Sequence, residues 1–410
     1  MSLTRKVAHN TIIQITGKAV SVLLGLITIA AMTRYLGKVG FGEFTTITAF
    51  LQVTIVFIDM GLALMMVQMI SKLNVISKTS DTKIPPSLVG GGTEGGVKEQ
   101  PITEKKLINN FFSLRFVSSL TLLAIATLIA FLIPSYSRII KLGIAFTTIS
   151  FLFSSLTGLL TGIFQKNLHM ERVAIADVTG RLLLTGFTFL AIYSGWGLFA
   201  LLFAVILGNL LNFLALFYFS RKFVKIHFQI DLNVWKKILK KTWPIAISIA
   251  FNLVYFKADT IILSLFRPQA EVGIYGATYR VLEIAIMFPI MFINLILPFL
   301  TRTWAEKNYE KFTSVLQKSF DFLILTAVPM VAATLILGTP IMTAVAGQEF
   351  AEAGPIVKIL IIATAIIFIG GLFAHTIVAI DNHKQMLKYY IVAAIVGLTG
   401  YLILIPRYSF

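Results

Sequence analysis

Long apolar runs alternate with short polar segments along almost the whole chain. Eleven runs stand out, at 11–33, 42–70, 107–133, 139–164, 173–193, 197–219, 242–266, 276–300, 319–337, 355–380 and 387–405. About 20 apolar residues in a helix cross the roughly 30 Å of bilayer hydrocarbon, so each run reads as a membrane-spanning helix. The period-two alternation of a membrane β-barrel is absent. The pattern predicts an all-α polytopic membrane protein with about eleven transmembrane helices. Two of the polar segments are long. Residues 71–106 are rich in Gly, Pro, Ser, Thr and charge, and are expected to be a disordered loop. Their Gly90-Gly91-Gly92-Thr93-Glu94-Gly95-Gly96 stretch lacks the Lys-Ser/Thr and the strand–helix setting of a phosphate loop. Residues 220–241 mix lysines with Phe223, Ile226, Phe228, Ile230, Trp235, Ile238 and Leu239. They read either as a basic amphipathic linker on an anionic leaflet or as an ordinary charged loop.

Composition sharpens this picture. Hydrophobic residues make up 57% of the 410 and charged residues only 13%, against about 25% charged in a soluble domain. With no cysteine, disulfides and thiolate metal sites are excluded. No cofactor or metal motif is present. The net charge of +17 does not point to nucleic acid, because the basic residues flank apolar runs instead of forming a solvated face. They report topology: 23 of the 35 Lys and Arg fall on the N-terminal side of the alternating spans and 8 on the other. That bias places the N-terminus in the cytoplasm of a multi-pass protein. No small-residue cleavage site follows the first run, which therefore reads as a retained helix.

Charge inside a span is costly, and marks a functional site by default. Lys257 lies about 22 Å along its helix from Thr242, too deep to reach the headgroups easily. It is the leading candidate for an anion-binding cation in a lumen, with an ion pair to an acid on another span as the competing reading. Asp259 sits about 200° further round that helix, on another face. Lys18 and Arg115 either line the inner mouth of a cavity or snorkel to the interface. Arg181 follows Asp177 at the favourable i+4 spacing, and Arg280 precedes Glu283 by three, so both invite mutual neutralisation. Arg34, in an external turn, is a gate or an interfacial anchor. Asp59, Asp259 and Glu283 are the candidate coupling or gating acids. Asp59, about 26 Å into its run, stands in an Asp-x-Gly setting that also suits packing or a hinge.

A short repeat divides the chain. Arg34-Tyr35-Leu36-Gly37 leads to Gly40-Phe41-Gly42-Glu43-Phe44, and Arg267-Pro268 leads to Val272-Gly273-Ile274-Tyr275-Gly276. Each is a span, a short Arg-containing turn, then Gly-x-aromatic opening the next span. Such pseudo-symmetry is common in secondary transporters, whose sites lie between the repeats. The chain is read as a six-helix bundle at 1–219, a linker at 220–241 and a five-helix bundle at 242–410.

These stretches, with Asn10-Thr11, Gly17-Lys18, Asp59-Met60-Gly61-Leu62, Lys257-Ala258-Asp259, Gly347-Gln348-Glu349-Phe350 and Ile405-Pro406-Arg407-Tyr408, resemble the bacterial polysaccharide-biosynthesis flippases. Those are O-antigen-type lipid-linked oligosaccharide transporters of the multidrug/oligosaccharidyl-lipid/polysaccharide exporter superfamily. The resemblance implies two facing bundles in a V, as in the MATE transporters. It also implies movement of an undecaprenyl-pyrophosphate-linked oligosaccharide across the cytoplasmic (inner) membrane by alternating access. The partners implied are an anionic lipid-linked glycan, membrane lipids and a coupling ion, H+ or Na+. The 71–106 segment is longer than the family's. The family also continues past the position of Phe410 with a Gly-Ala-Ala stretch and at least one more helix, so a C-terminal truncation is expected. Two alternatives stay open: a multidrug or cation antiporter of the same superfamily, and a polytopic glycan polymerase or ligase. The first expectation is a transporter and not an enzyme.

Overall fold

In the computed structural model, residues 3–59, 61–63, 65–70, 103–167, 169–380 and 382–410 are described. The helices are α1 (Leu3–Asp59), α2 (Glu104–Leu132), α3 (Arg138–Lys166), α4 (Met170–Tyr193), α5 (Gly197–Ser220), α6 (Leu232–Phe266), α7 (Gln269–Ala305), α8 (Tyr309–Ala346), α9 (Ala353–Ala379) and α10 (His383–Tyr408). Nine helices among the described residues are long and apolar enough to cross a membrane, with α1 counted once. Yet α1 is two limbs. At Gly37 the backbone takes φ 64° and ψ −174°, a conformation that glycine tolerates and L side chains resist. The chain doubles back there. Gly17, on the first limb, packs on Ala174 near the start of α4, and Met65 and Ile70 return to that same end of the molecule. Counting both limbs and α6, the described helices make eleven passes, in line with the apolar pattern.

Two bundles result, α1–α5 and α6–α10, and they form a V. At the Gly37 end one continuous apolar core includes Met32, Phe41, Phe44 and Ile47 of the first bundle and Ile274, Met342, Phe350 and Val357 of the second. At the other end the cores are separate. Leu107, Phe111, Phe164 and Leu216 cluster in the first bundle, while Ile293, Leu323, Phe368 and Leu372 cluster in the second.

The vertex is a crossing of α1 and α7 with almost no side chain between them. A Cβ on Gly42 would lie 1.8 Å from the Gln269 carbonyl oxygen, and one on Gly273 would lie 2.0 Å from that of Lys38. These are the equivalent glycines of the internal repeat, now facing each other. Thr46 Oγ1 donates to Gln269 Oε1 at 2.7 Å, Lys38 pairs with Glu352 at 3.0 Å, and Arg34 donates to the carbonyl of Ala344.

Most of 71–106 lies outside the described residues, and the expectation of disorder is corrected only at its end. Thr103 caps α2 by accepting from the Lys106 amide, so 104–106 are helical. The 220–241 segment is also not uniform. Residues 224–231 run without helix, and α6 then continues unbroken through 241 and 242. Two causes are visible. Asp231 caps α6 by accepting from the Asn233 and Val234 amides at 3.1 and 3.3 Å. Val234, Ile238 and Thr242, four residues apart, are buried, and the first two join the first bundle's core. The strap before α6 is sewn to α2: the amides of His227, Gln229 and Asp231 donate to Asn109, Ser113 and Asn110 side chains at 3.1, 2.7 and 2.8 Å.

Two outcomes follow from these contacts. Gly273→Ala should open the vertex. In the naturally cysteine-free chain carrying Lys38→Cys and Glu352→Cys, short-bismaleimide cross-linking should fall several-fold on adding it, and unchanged cross-linking would refute the close crossing. The Lys106 ammonium, at 2.7 Å, together with the Val234 amide, holds the Asp231 carboxyl below its usual range. The depressed carboxyl stabilises fully above the unfolded value and loses this as pH falls through the folded one. Intrinsic-rate-corrected amide exchange at Val234 should therefore stay flat from pH 7 to 5 and accelerate only below about pH 4.

Candidate functional site

The cleft between the bundles begins just below the vertex. One wall is a polar stripe on the second limb of α1, formed by Thr45, Thr48, Ala49 and Gln52; the facing wall is Lys257 and Thr260 of α6 with Gly276, Tyr279, Arg280 and Glu283 of α7. Spacings of 3, 4 and 7 put the α1 residues on one helix face, inside an otherwise apolar run. That signal was present in the sequence and was missed there.

Three charges share the far wall. Glu283 accepts from Lys257 Nζ at 2.7 Å through one oxygen and from Arg280 Nη1 at 2.9 Å through the other. Their side chains are 21%, 26% and 35% exposed for Lys257, Arg280 and Glu283, so all three remain reachable from the cleft. The Lys257 ammonium also sits 5.1 Å from the centre of the Tyr279 ring, where the π face favours a cation. Two cations and one carboxylate leave a formal charge of +1. The ion pair expected as the competing reading for Lys257 is therefore present, yet it does not cancel the site's charge.

Asp259 faces elsewhere, as its helical offset requires. It is 5% exposed and accepts from Tyr275 Oη at 2.6 Å and from the Thr260 amide at 2.6 Å. Its surroundings, Ile262, Val272, Tyr275, Tyr401 and Ile405, join α6, α7 and α10.

The remaining candidates are dispersed. Arg115 is 2% exposed, inside the first bundle, and neither lines the cleft mouth nor snorkels. It pairs with Asp59 at 2.7 Å, donates from Nε to Ser155 Oγ at 2.7 Å and from Nη1 to the Ile58 carbonyl at 3.0 Å. That carbonyl lies where α1 stops, and a guanidinium supplies a donor where the helix ladder ends. Arg181 stands 3.9 Å from Asp177, exposed on α4. Lys18 is half-buried on α1. Arg34 belongs to the vertex. Among the described residues, no group of three or more His, Asp or Glu is placed to hold a metal.

Comparison with known proteins gives this geometry a context. The sequence profile of the polysaccharide biosynthesis protein family matches residues 7–304, and that of the MatE family matches 244–402. The chain is 25% identical over 262 residues to the capsular polysaccharide biosynthesis protein CapF of Staphylococcus aureus, covering 63% of this chain and 66% of that protein. It is 25% identical over 204 residues to the probable low-salt glycan biosynthesis flippase Agl15 of Haloferax volcanii, covering 49% and 42%. The fold matches lipid II flippase MurJ in an inward closed conformation, with TM-score 0.74, 15% identity and coverage of 97% of this chain and 82% of that one. It also matches an inward-facing MATE transporter of the MOP superfamily, with TM-score 0.70, 14% identity and coverage of 97% and 91%. An outward-facing MATE structure matches at 0.59, with 14% identity and coverage of 98% and 88%.

The Asp59–Arg115 pair couples a buried guanidinium to a carboxylate that water still reaches, their side chains being 3% and 37% exposed for Arg115 and Asp59. Asp59→Asn removes the carboxylate from a buried guanidinium that keeps its Ser155 and Ile58 partners, and should cost about 1.5–3 kcal/mol, the worth of a charge-assisted hydrogen bond, at the low end because water screens the exposed acid. Adding Arg115→Met should recover part of that loss, because no charge is then left without a partner. Denaturation in detergent checks this; a double variant less stable than Asp59→Asn alone would refute the pairing.

Proposed function

We propose that this chain, which belongs to the polysaccharide biosynthesis protein family, flips an anionic lipid-linked glycan across the cytoplasmic membrane by alternating access between its two bundles. The substrate class is an undecaprenyl-pyrophosphate-linked oligosaccharide. The observation that carries this reading is the Lys257–Glu283–Arg280 cluster, net positive and open to the cleft. A pyrophosphate entering a low-dielectric cleft loses hydration, and needs charge-assisted donors in return. Arg280 presents a planar fork suited to phosphate oxygens and Lys257 a compact point charge. Thr45, Thr48 and Gln52 on the opposite wall suit sugar hydroxyls.

Glu283 is the resident anion for both cations. Substrate phosphate competes for them, and the carboxylate so released takes up the coupling ion, H+ or Na+. The positive-inside bias assigns the N-terminus and the 224–231 strap to the cytoplasm. The closed Gly37 end then faces outward and the cleft opens inward. The better fit to inward than to outward MATE geometry supports that assignment. A cation-exporting antiporter needs acids that are both accessible and not already neutralised by the protein's own cations. Asp259 is buried, while Asp59 and Glu283 are paired, which disfavours that alternative.

The test is glycan export in a strain lacking its own flippase. Lys257→Gln/Arg280→Gln/Glu283→Gln strands no charge and should fold. Losing two charge-assisted contacts of roughly 1.5–3 kcal/mol each should lower export at least tenfold. Lys257→Arg should keep most of it. Export at the wild-type rate by the triple variant would overturn the site.

A further inference from the structure

At the end of the molecule away from the vertex, the strap and α2 enclose an open notch of about 400 Å³, lined by Thr103, Lys105, Lys106, Asn109, His227, Phe228 and Gln229. We propose that this notch is a binding site for the phosphate headgroup of an anionic membrane lipid, separate from the transport cleft and not dependent on the flippase reading.

Charge is the first reason. The acids beside the notch are already engaged: Asp231 with Lys106 and Glu104 with Lys166. Lys105 adds a further cation to the rim, and Thr103, His227 and Gln229 offer polar side chains around it. A monoanionic phosphodiester would meet attraction there, with its remaining oxygens within reach of neutral donors.

Shape and polarity argue for a lipid over a free anion. One wall of the notch is Phe228, which is 57% exposed. Its ring packs edge-on against Phe116 of α2, with centroids 6.0 Å apart. Phe116 lies three turns further along α2 than Lys105, toward the apolar length of the helix. A headgroup seated over Lys105 would therefore have its acyl chain run past the two rings. The neighbouring surface repeats this pairing of charge and grease. Ile230 and Leu232 are 54% and 71% exposed, and Lys225, Lys236 and Lys240 of the same strap and helix start are exposed as well. An amphipathic basic surface of this kind suits an anionic leaflet.

Occupancy has a mechanical effect. The strap joins the bundles and is sewn to α2 by three amide hydrogen bonds. A lipid bridging Lys105 on α2 to His227 on the strap would fasten the same seam.

The experiment uses the full chain in an uncharged detergent. Its melting temperature and native mass spectrum are followed against dioleoylphosphatidylglycerol, dioleoylphosphatidylcholine and inorganic phosphate. Phosphatidylglycerol should raise the melting temperature by several degrees and appear as a retained adduct, with little response to the other two. Lys105→Ala/His227→Ala, both on the rim, should lose most of that shift. Lys240→Ala/Lys241→Ala, elsewhere on the basic surface, should keep it. Equal responses to the two lipids, an equal response to inorganic phosphate, or an undiminished shift in Lys105→Ala/His227→Ala would each overturn the proposal. Loss of the shift in Lys240→Ala/Lys241→Ala alone would also overturn it, by assigning the lipid to the diffuse surface.

Discussion

Backbone meeting backbone at Gly42 and Gly273 sets the geometry of everything below it. With a Cβ position only 1.8–2.0 Å from the opposite carbonyl oxygen, no other residue type fits without separating the bundles. Close approach brings the apolar faces around it into one core and anchors the vertex of the V. Fixing that point aims the polar stripe of α1 at the charged wall of α6 and α7. The cleft exists because the bundles touch at one end and diverge toward the other.

Much of this was legible in the sequence. Run length against bilayer thickness gave the helices, because in hydrocarbon every backbone group must be satisfied within the helix. The repeat pointed to Gly42 and Gly273 as equivalent, though not to their contact; a periodicity carries no information on which faces meet. The fate of each charge was harder. Arg181 with Asp177, and Arg280 with Glu283, could be paired because they lie on one helix at fixed spacing. Arg115 could not. Its partner Asp59 is 56 positions away, on a segment whose approach depends on the fold of the whole first bundle. The strap was equally hidden. Asn109, Asn110 and Ser113 form no motif in the sequence, but they accept from the amides of a segment over a hundred residues later.

The charges obey one economy throughout the described structure. Arg115 is deeply buried and meets a carboxylate, a hydroxyl and a carbonyl at once. Lys257 and Arg280 are partly open and share a single acid. The difference matches the cost of desolvation: full burial demands a complete set of partners, whereas a wet cleft tolerates excess charge. Counting basic residues inside spans therefore overstated how cationic the interior is. Among the described residues, the Lys257–Arg280–Glu283 cluster combines accessibility with a surplus.

Glu283 has a consequence for the half of the proposed cycle in which nothing is carried. A carrier must bring its site back across the low-dielectric layer after unloading, and two bare cations would make that journey electrostatically steep. With Glu283 folded back onto Lys257 and Arg280, the vacant site travels with one net positive charge in place of two, its own side chain acting as ballast. The barrier to resetting is thereby lowered, and in exchange an incoming phosphate has one carboxylate to outcompete.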